Sequence, residues 1–303
     1  MNGAYVCPIF DKENDFEYGY AFVESAIKHK TVNELYFVFS FLSHQEKFNI
    51  ECNRRFGIQP ESILLDDPLK DCMNPVTIKK YFGVKELINK YDYVAAIDCE
   101  SLFIRDFDSG TLMDRIWRAE SFLNCNKAVM AANDLYNCAC ALRLDKDMSL
   151  IEETEDFSVT WWFNEIPVYK SAYMGEFFDW LYSDGRFDIV YQNWCCFDYY
   201  VYIIWLILYK GYHLHVLKGS AYNGIIECLW YSLSKHPMRI EQRFNTHWTS
   251  RKGNVSDNDN ICLQFHTDRV YKGNSITKEL RIIKRHLENC YIRIKLLLFH
   301  PAK

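Results

Sequence analysis

Asp98-Cys99-Glu100 places two carboxylates one residue apart, directly after the apolar run Val94-Ala95-Ala96-Ile97. On extended chain, residues two apart point the same way, so Asp98 and Glu100 can both face one hard cation. The run itself suits a strand buried on both faces. Ligands of open α/β sheets gather outside the carboxyl ends of the strands, which is where these two acids would stand. An isolated D-x-E is more often a solvated turn, so the rest of the chain has to decide.

Four other places carry groups able to do chemistry. Lys80 lies eighteen residues before Asp98, on a helix expected over Pro75 to Lys90; Lys79 is an equal rival, and a lysine on a solvated helix face is as good a reading. Glu165 follows Trp161-Trp162-Phe163-Asn164, an aromatic patch suited to sugar rings, although core packing explains it almost as well. Asp198 stands at the entrance to the apolar run YYVYIIWLILY, either as a helix-end cap or as a carboxylate of raised pKa able to deprotonate a hydroxyl. Finally, Cys262 to Gly273 (CLQFHTDRVYKG) is a short apolar run ending in His266, with Lys272 six residues later. His213 and His215 also alternate on one face, but without a third ligand nearby a structural reading is preferred.

The segment from Thr77 to Glu100, TIKKYFGVKELINKYDYVAAIDCE, resembles the part of GT-A-type glycosyltransferases in which a helix leads into a strand ending in a D-x-D motif. Cys262 to Gly273 is similar to the H-x-x-G-x-x-K element of retaining enzymes of the glycogenin and galactosyltransferase kind. Three features depart from the pattern: Glu100 replaces the second Asp, Arg269 replaces the glycine, and no Pro-Trp follows. The resemblance spans roughly residues 1 to 275 and implies a nucleoside-diphosphate sugar, probed first as the UDP-linked form, as the donor. It implies Mn2+, or Mg2+, held by Asp98, Glu100 and His266, with Lys80, Asp98 and Lys272 on the donor and its diphosphate. The acceptor would be a hydroxyl of a glycan or glycolipid. Asp198 or Glu165 would be the base in an inverting variant, and the diphosphate itself would serve in a retaining one. Two rivals stay open: a nucleotidyltransferase, and a non-catalytic carbohydrate-binding protein indifferent to loss of Asp98.

The elements that must position these residues alternate. Strands are expected at Ala4 to Phe10, Leu35 to Phe41 and Ser62 to Leu65. Helices are expected where Phe16, Tyr20, Val23 and Ile27 recur, from a Ser43 cap to about Arg55, and from an Asp108 cap to about Asn124. Ala128 to Ala132 can return to the sheet, Ser171 to Ser183 is helical, and Gln192 to Tyr209 reads as a buried helix too short for a membrane span. This order predicts an α/β, GT-A-like fold: a Rossmann-type, mostly parallel central sheet flanked by helices. No G-x-G-x-x-G or P-loop is present, which disfavours a dinucleotide site.

Residues 1–275 are expected to form the catalytic domain, with a nucleotide-sugar half at 1–107 and an acceptor half at 108–275. Residues 276–303 are expected as a basic amphipathic C-terminal helix. Its stripe suits peripheral membrane contact through 276–299, although docking on the protein's own body is the more frequent outcome. At 49% hydrophobic and 25% charged the chain is not disordered. Its net charge of −5 becomes −10 without the segment from Lys278 to Lys303, whose seven Lys/Arg and two acids sum to +5, which argues against a nucleic-acid binder. The twelve cysteines fall mostly in apolar segments without a C-x-x-C pair, and the first residues lack a signal peptide's pattern. Reduced thiols and a cytoplasmic location are the expectation.

Overall fold

A computed structural model of the 303-residue chain describes residues 1–10, 15–66, 69, 71–119, 122–123, 134–144, 167–211, 215–216, 226–229 and 262–265. Its main sheet has five strands in the order β3-β2-β1-β4-β7. These are β1 (Gly3–Pro8), β2 (Leu35–Phe39), β3 (Glu61–Leu64), β4 (Tyr93–Ala96) and β7 (Val168–Lys170). The pairs β1-β2, β1-β4 and β2-β3 are parallel, whereas β7 runs antiparallel to β4 at the edge. The fold is therefore α/β with a mixed, mostly parallel sheet, as its alternation of strands and helices predicts.

Alternation along β1 and β4 divides the core between the two faces of the sheet. Tyr5, Cys7, Ala95 and Ile97 join Phe22, Phe37 and Phe48 on one face. Ala4, Val6, Val94 and Ala96 join Tyr81, Val84, Tyr169 and Phe177 on the other. Covering both faces is what allows continuous apolar strands. The first face is covered by α1 (Asp15–Lys28) and α2 (Leu42–Phe56). The second is covered by α3 (Pro75–Leu87), α6 (Ser171–Tyr182) and α8 (Asp198–Lys210).

Helix α3 seats close against the sheet. A Cβ built on Gly83 would stand 2.8 Å from Val38 Cγ2 and 2.9 Å from Val6 Cγ1. Only a glycine permits this approach, and it holds the preceding turn, with Lys79 and Lys80, against the strand ends.

Several local expectations change. Phe41, not Ser43, is the N-cap of α2, because Phe41 has the extended backbone a cap position needs and Ser43 falls inside the first turn. Asp108 does accept the Thr111 N–H at 2.7 Å, but α4 (Ser109–Ala119) stops before Phe122–Leu123, which pair as β6 with β8 (His215–Val216). The expected helix from Gln192 begins only at Asp198, as α8; Gln192 closes a separate helix, α7 (Arg186–Gln192), and a non-helical link lies between. Helix α8 is buried from Asp198 to Leu206, and no helix among the described residues is long and apolar enough to cross a membrane. The expected strand Ala128 to Ala132, His213 and the C-terminal segment 276–303 lie outside the described residues.

A second sheet has the order β5-β10-β9, formed by β5 (Ser101–Phe103), β10 (Cys262–Phe265) and β9 (Ile226–Leu229). Strand β10 runs antiparallel to β5, with Gln264 opposite Ser101.

Candidate functional site at the switch point of the sheet

The order 3-2-1-4 reverses direction between β1 and β4, and sheets of this kind open a crevice outside the carboxyl ends of the two strands at such a reversal. Beyond β4, Ile97 is still held by its N–H to the Val6 carbonyl at 2.9 Å. The chain then turns outward: Asp98 and Glu100 are half-buried, and Cys99 between them is buried. Both acids thus stand at the mouth of the crevice.

Both rival lysines of α3 are buried, which overturns the solvated-face reading. Lys79 reaches the end of β1, where its ammonium donates to the Ile9 carbonyl and lies 3.6 Å from the Phe10 ring centroid. Lys80 reaches the end of β4, with Nζ 3.1 Å from Asp98 Oδ1 and 3.7 Å from Asp198 Oδ1. One helix turn therefore supplies a cation to each strand end of the switch point.

Asp198 does not cap α8; Phe197 is the N-cap, and no side-chain cap is made. Its carboxylate instead accepts the Tyr169 hydroxyl from β7 and faces Lys80. Its backbone is fixed as well: the N–H donates to Thr77 Oγ1 at 3.1 Å and the carbonyl accepts the Tyr81 hydroxyl at 2.6 Å. Burial pushes the Asp198 carboxyl above its ordinary pKa, and Lys80 and the Tyr169 hydrogen bond only partly offset this. For Lys80, burial pulls downward, but Asp198 and then Asp98 outweigh it, so the ammonium is held above its ordinary value. Burial, then the Asp198 charge, raises both the Tyr81 and Tyr169 phenols.

Of the residues singled out from sequence, the structure brings Lys80, Asp98 and Asp198 together, with Glu100 two residues from Asp98. Glu165, His266 and Lys272 lie outside the described residues. Sequence reasoning missed Thr77, Tyr81 and Tyr169. The first two had a signal: Thr77, Lys80 and Tyr81 share one face of α3 by their spacing of three and four. Tyr169 lies in a three-residue strand, too short for alternation to reveal.

The oxygens at the mouth suit a hard divalent cation: Asp98 and Glu100 offer carboxylates, Cys99 between them packs into the core, and the buried Ser101 hydroxyl, next to Glu100, has no hydrogen-bond partner among the described residues. Among the described residues no three His, Cys, Asp or Glu side chains group as a complete metal cage. Asp98 and Glu100 fit as part of one.

No protein-family profile and no curated protein matches the chain. Among solved structures it is similar to S. aureus TarS 1–349 in complex with UDP, at 18% identity and TM-score 0.28, over 41% of this chain and 35% of that one. It is also similar to core-mannan synthase A (CmsA/Ktr4) of Aspergillus fumigatus in its Mn/GDP form, at 13% identity and TM-score 0.34, over 68% and 69%. The mannosyltransferase Ktr4p of S. cerevisiae matches at 10% identity and TM-score 0.29, over 51% and 45%. The chain thus spans about a third of the TarS structure. Likenesses this slight carry no functional weight, which falls on the site.

Proposed function

We propose that the chain is a metal-dependent glycosyltransferase that moves a sugar from a nucleoside-diphosphate donor, UDP-linked as the first to be tried, to a hydroxyl of a glycan or glycolipid. The observation that carries the reading is the Lys80–Asp98 pair, 3.1 Å apart at the crevice between β1 and β4, with Glu100 two residues on. A metal-ligating carboxylate beside a buried cation suits a diphosphate, which needs positive charge from both sides as a glycosyl bond breaks.

Asp98 and Glu100 would hold Mn2+ or Mg2+, with His266 as the third protein ligand. His266 directly follows β10, whose antiparallel register with β5 carries its end toward the Glu100 end of that strand. When bound, the cation would stabilise charge on the leaving diphosphate. Lys80, kept charged by Asp98 and Asp198, would add a fixed cation at the same place, and Lys272 would contact the diphosphate. The burial of Asp198 and its hold on Lys80 suit a positioning residue and not a base that reaches an acceptor. Glu165 is then the candidate base of an inverting enzyme.

The test is release of nucleoside diphosphate from a panel of UDP- and GDP-sugars, with and without manganese, by the wild type and Asp98→Asn. Manganese-dependent release from one donor, reduced on the order of a hundredfold or more in the variant, is expected. No release from any donor, with a glycan binding both proteins equally, would leave the carbohydrate-binding module.

A further inference from the structure

Beside the loop that leads into Asp198, three thiols meet that the proposed transfer does not use. Cys196 is buried in the link between α7 and α8, in the same core cluster as Cys138 and with Cys195 packed against that cluster, and it is in side-chain hydrogen-bond contact with both. Cys138 is buried on α5 (Asp134–Ala141), a helix packed against α8. Cys195 is half-buried, and its Sγ lies 3.9 Å from the carbonyl oxygen of Asn137, the residue before Cys138. All three are free thiols, so two separate segments bring reduced sulfurs into contact with one member open to solvent.

We propose that Cys195, Cys196 and Cys138 form a thiol–disulfide exchange site for small-molecule disulfides such as oxidised glutathione, with Cys195 as the point of entry and a Cys138–Cys196 disulfide as the product. The thiolate of Cys195 attacks one sulfur of the incoming disulfide; that S–S bond breaks, and the departing thiolate takes up the proton Cys195 has lost. Cys138 attacks the Cys195 sulfur of this mixed disulfide and expels the second small thiol. Cys196 then attacks Cys138 and returns Cys195 to the thiol. Overall, two protein thiols are oxidised to one disulfide and one small-molecule disulfide is reduced to two thiols, with both protons accounted for. The chemistry has support at Cys196, where the Cys138 hydrogen bond, followed by that of Cys195, favours the thiolate over the opposing effect of burial.

The site is coupled to the crevice through the side chain of Asn74. The Asn74 amide, at the N-cap of α3, donates to the Cys196 carbonyl at 2.7 Å and to the Asn193 carbonyl at 3.2 Å. Tying Cys196 to α5 therefore acts on the link that leads into the helix bearing Asp198 and is hydrogen-bonded to the start of the helix bearing Lys80.

The test uses the full wild-type chain, incubated with increasing oxidised glutathione, alkylated and mapped by mass spectrometry. A cross-linked pair of peptides carrying Cys138 and Cys196, short of two hydrogens and restored by a reducing agent, is expected. Cys195→Ser, at a half-buried position, should slow its formation about tenfold or more. Glutathione found only on the exposed Cys140 or on Cys72, with Cys138 and Cys196 fully alkylated after unfolding, would overturn the proposal. So would cross-linking at an unchanged rate in Cys195→Ser.

Discussion

The Asp198 carboxylate lies against the Lys80 ammonium, Oδ1 to Nζ 3.7 Å, in a place where only 3% of Asp198 is exposed. The pair is not symmetrical. Burial costs the carboxylate more than Lys80 and Tyr169 return, whereas the ammonium gains more from its two carboxylates than burial takes away.

That asymmetry sets the order of two substitutions. Lys80→Met leaves Asp198 buried without its cation and should destabilise the protein by about 3 kcal/mol or more, since breaking a buried pair from one side is costly. Asp198→Asn removes an expensive charge, keeps an acceptor for Tyr169 and leaves Lys80 with Asp98, so its cost should stay below about 2 kcal/mol. Urea unfolding of both variants checks the order. If Asp198→Asn were the more damaging, the asymmetry would be wrong.

The pH dependence of the Lys80 contribution follows from its sign. Its folded pKa lies above the unfolded value of about 10.4, so its stabilisation is complete below that pH and lost as pH rises through the folded value. Tyr81 and Tyr169, raised in the same direction, add alkaline destabilisation common to wild type and Lys80→Met. The stability gap between the two proteins should therefore shrink as pH rises above about 10. Melting curves across that range report it, and a gap that widened would contradict the assignment.

The seat of α3 is testable at Gly83. Gly83→Ala gains up to about 1 kcal/mol of helix propensity but drives a methyl into Val6 and Val38, and overpacking of about 1–3 kcal/mol should win. Gly175→Ala in α6, where a Cβ meets nothing within 4 Å, should stabilise by about 0.5–1 kcal/mol. Thermal unfolding of the two variants should shift in opposite directions.

Much of this architecture is legible in the chain. Apolar runs broken by polar turns locate β1, β2 and β4, and the abrupt stop after Ile97 locates the acidic pair at the strand end. The burial of Lys79 and Lys80 is less visible, because their partners come from Ile9, Asp98 and Asp198, far apart in sequence. A hint exists in α3 itself, where Ile78, Tyr81, Val84 and Leu87 are buried around the lysines and leave little polar face. The antiparallel edge strand β7 and the β5-β10 pairing escape reading because β7 and β5 are only three residues long and pair with distant parts of the chain.

The central claim is that Asp98 anchors a metal-bound nucleotide-sugar, and its most direct test is thermal stabilisation by UDP- and GDP-sugars, with and without manganese, in the wild type and Asp98→Asn. At a hundredfold excess over Kd, a ligand specific for the folded state adds about 2.7 kcal/mol. The account predicts that one nucleotide-sugar raises the wild-type Tm only with manganese and leaves Asp98→Asn unmoved. Equal shifts in both proteins, or no shift with any nucleotide, would contradict it.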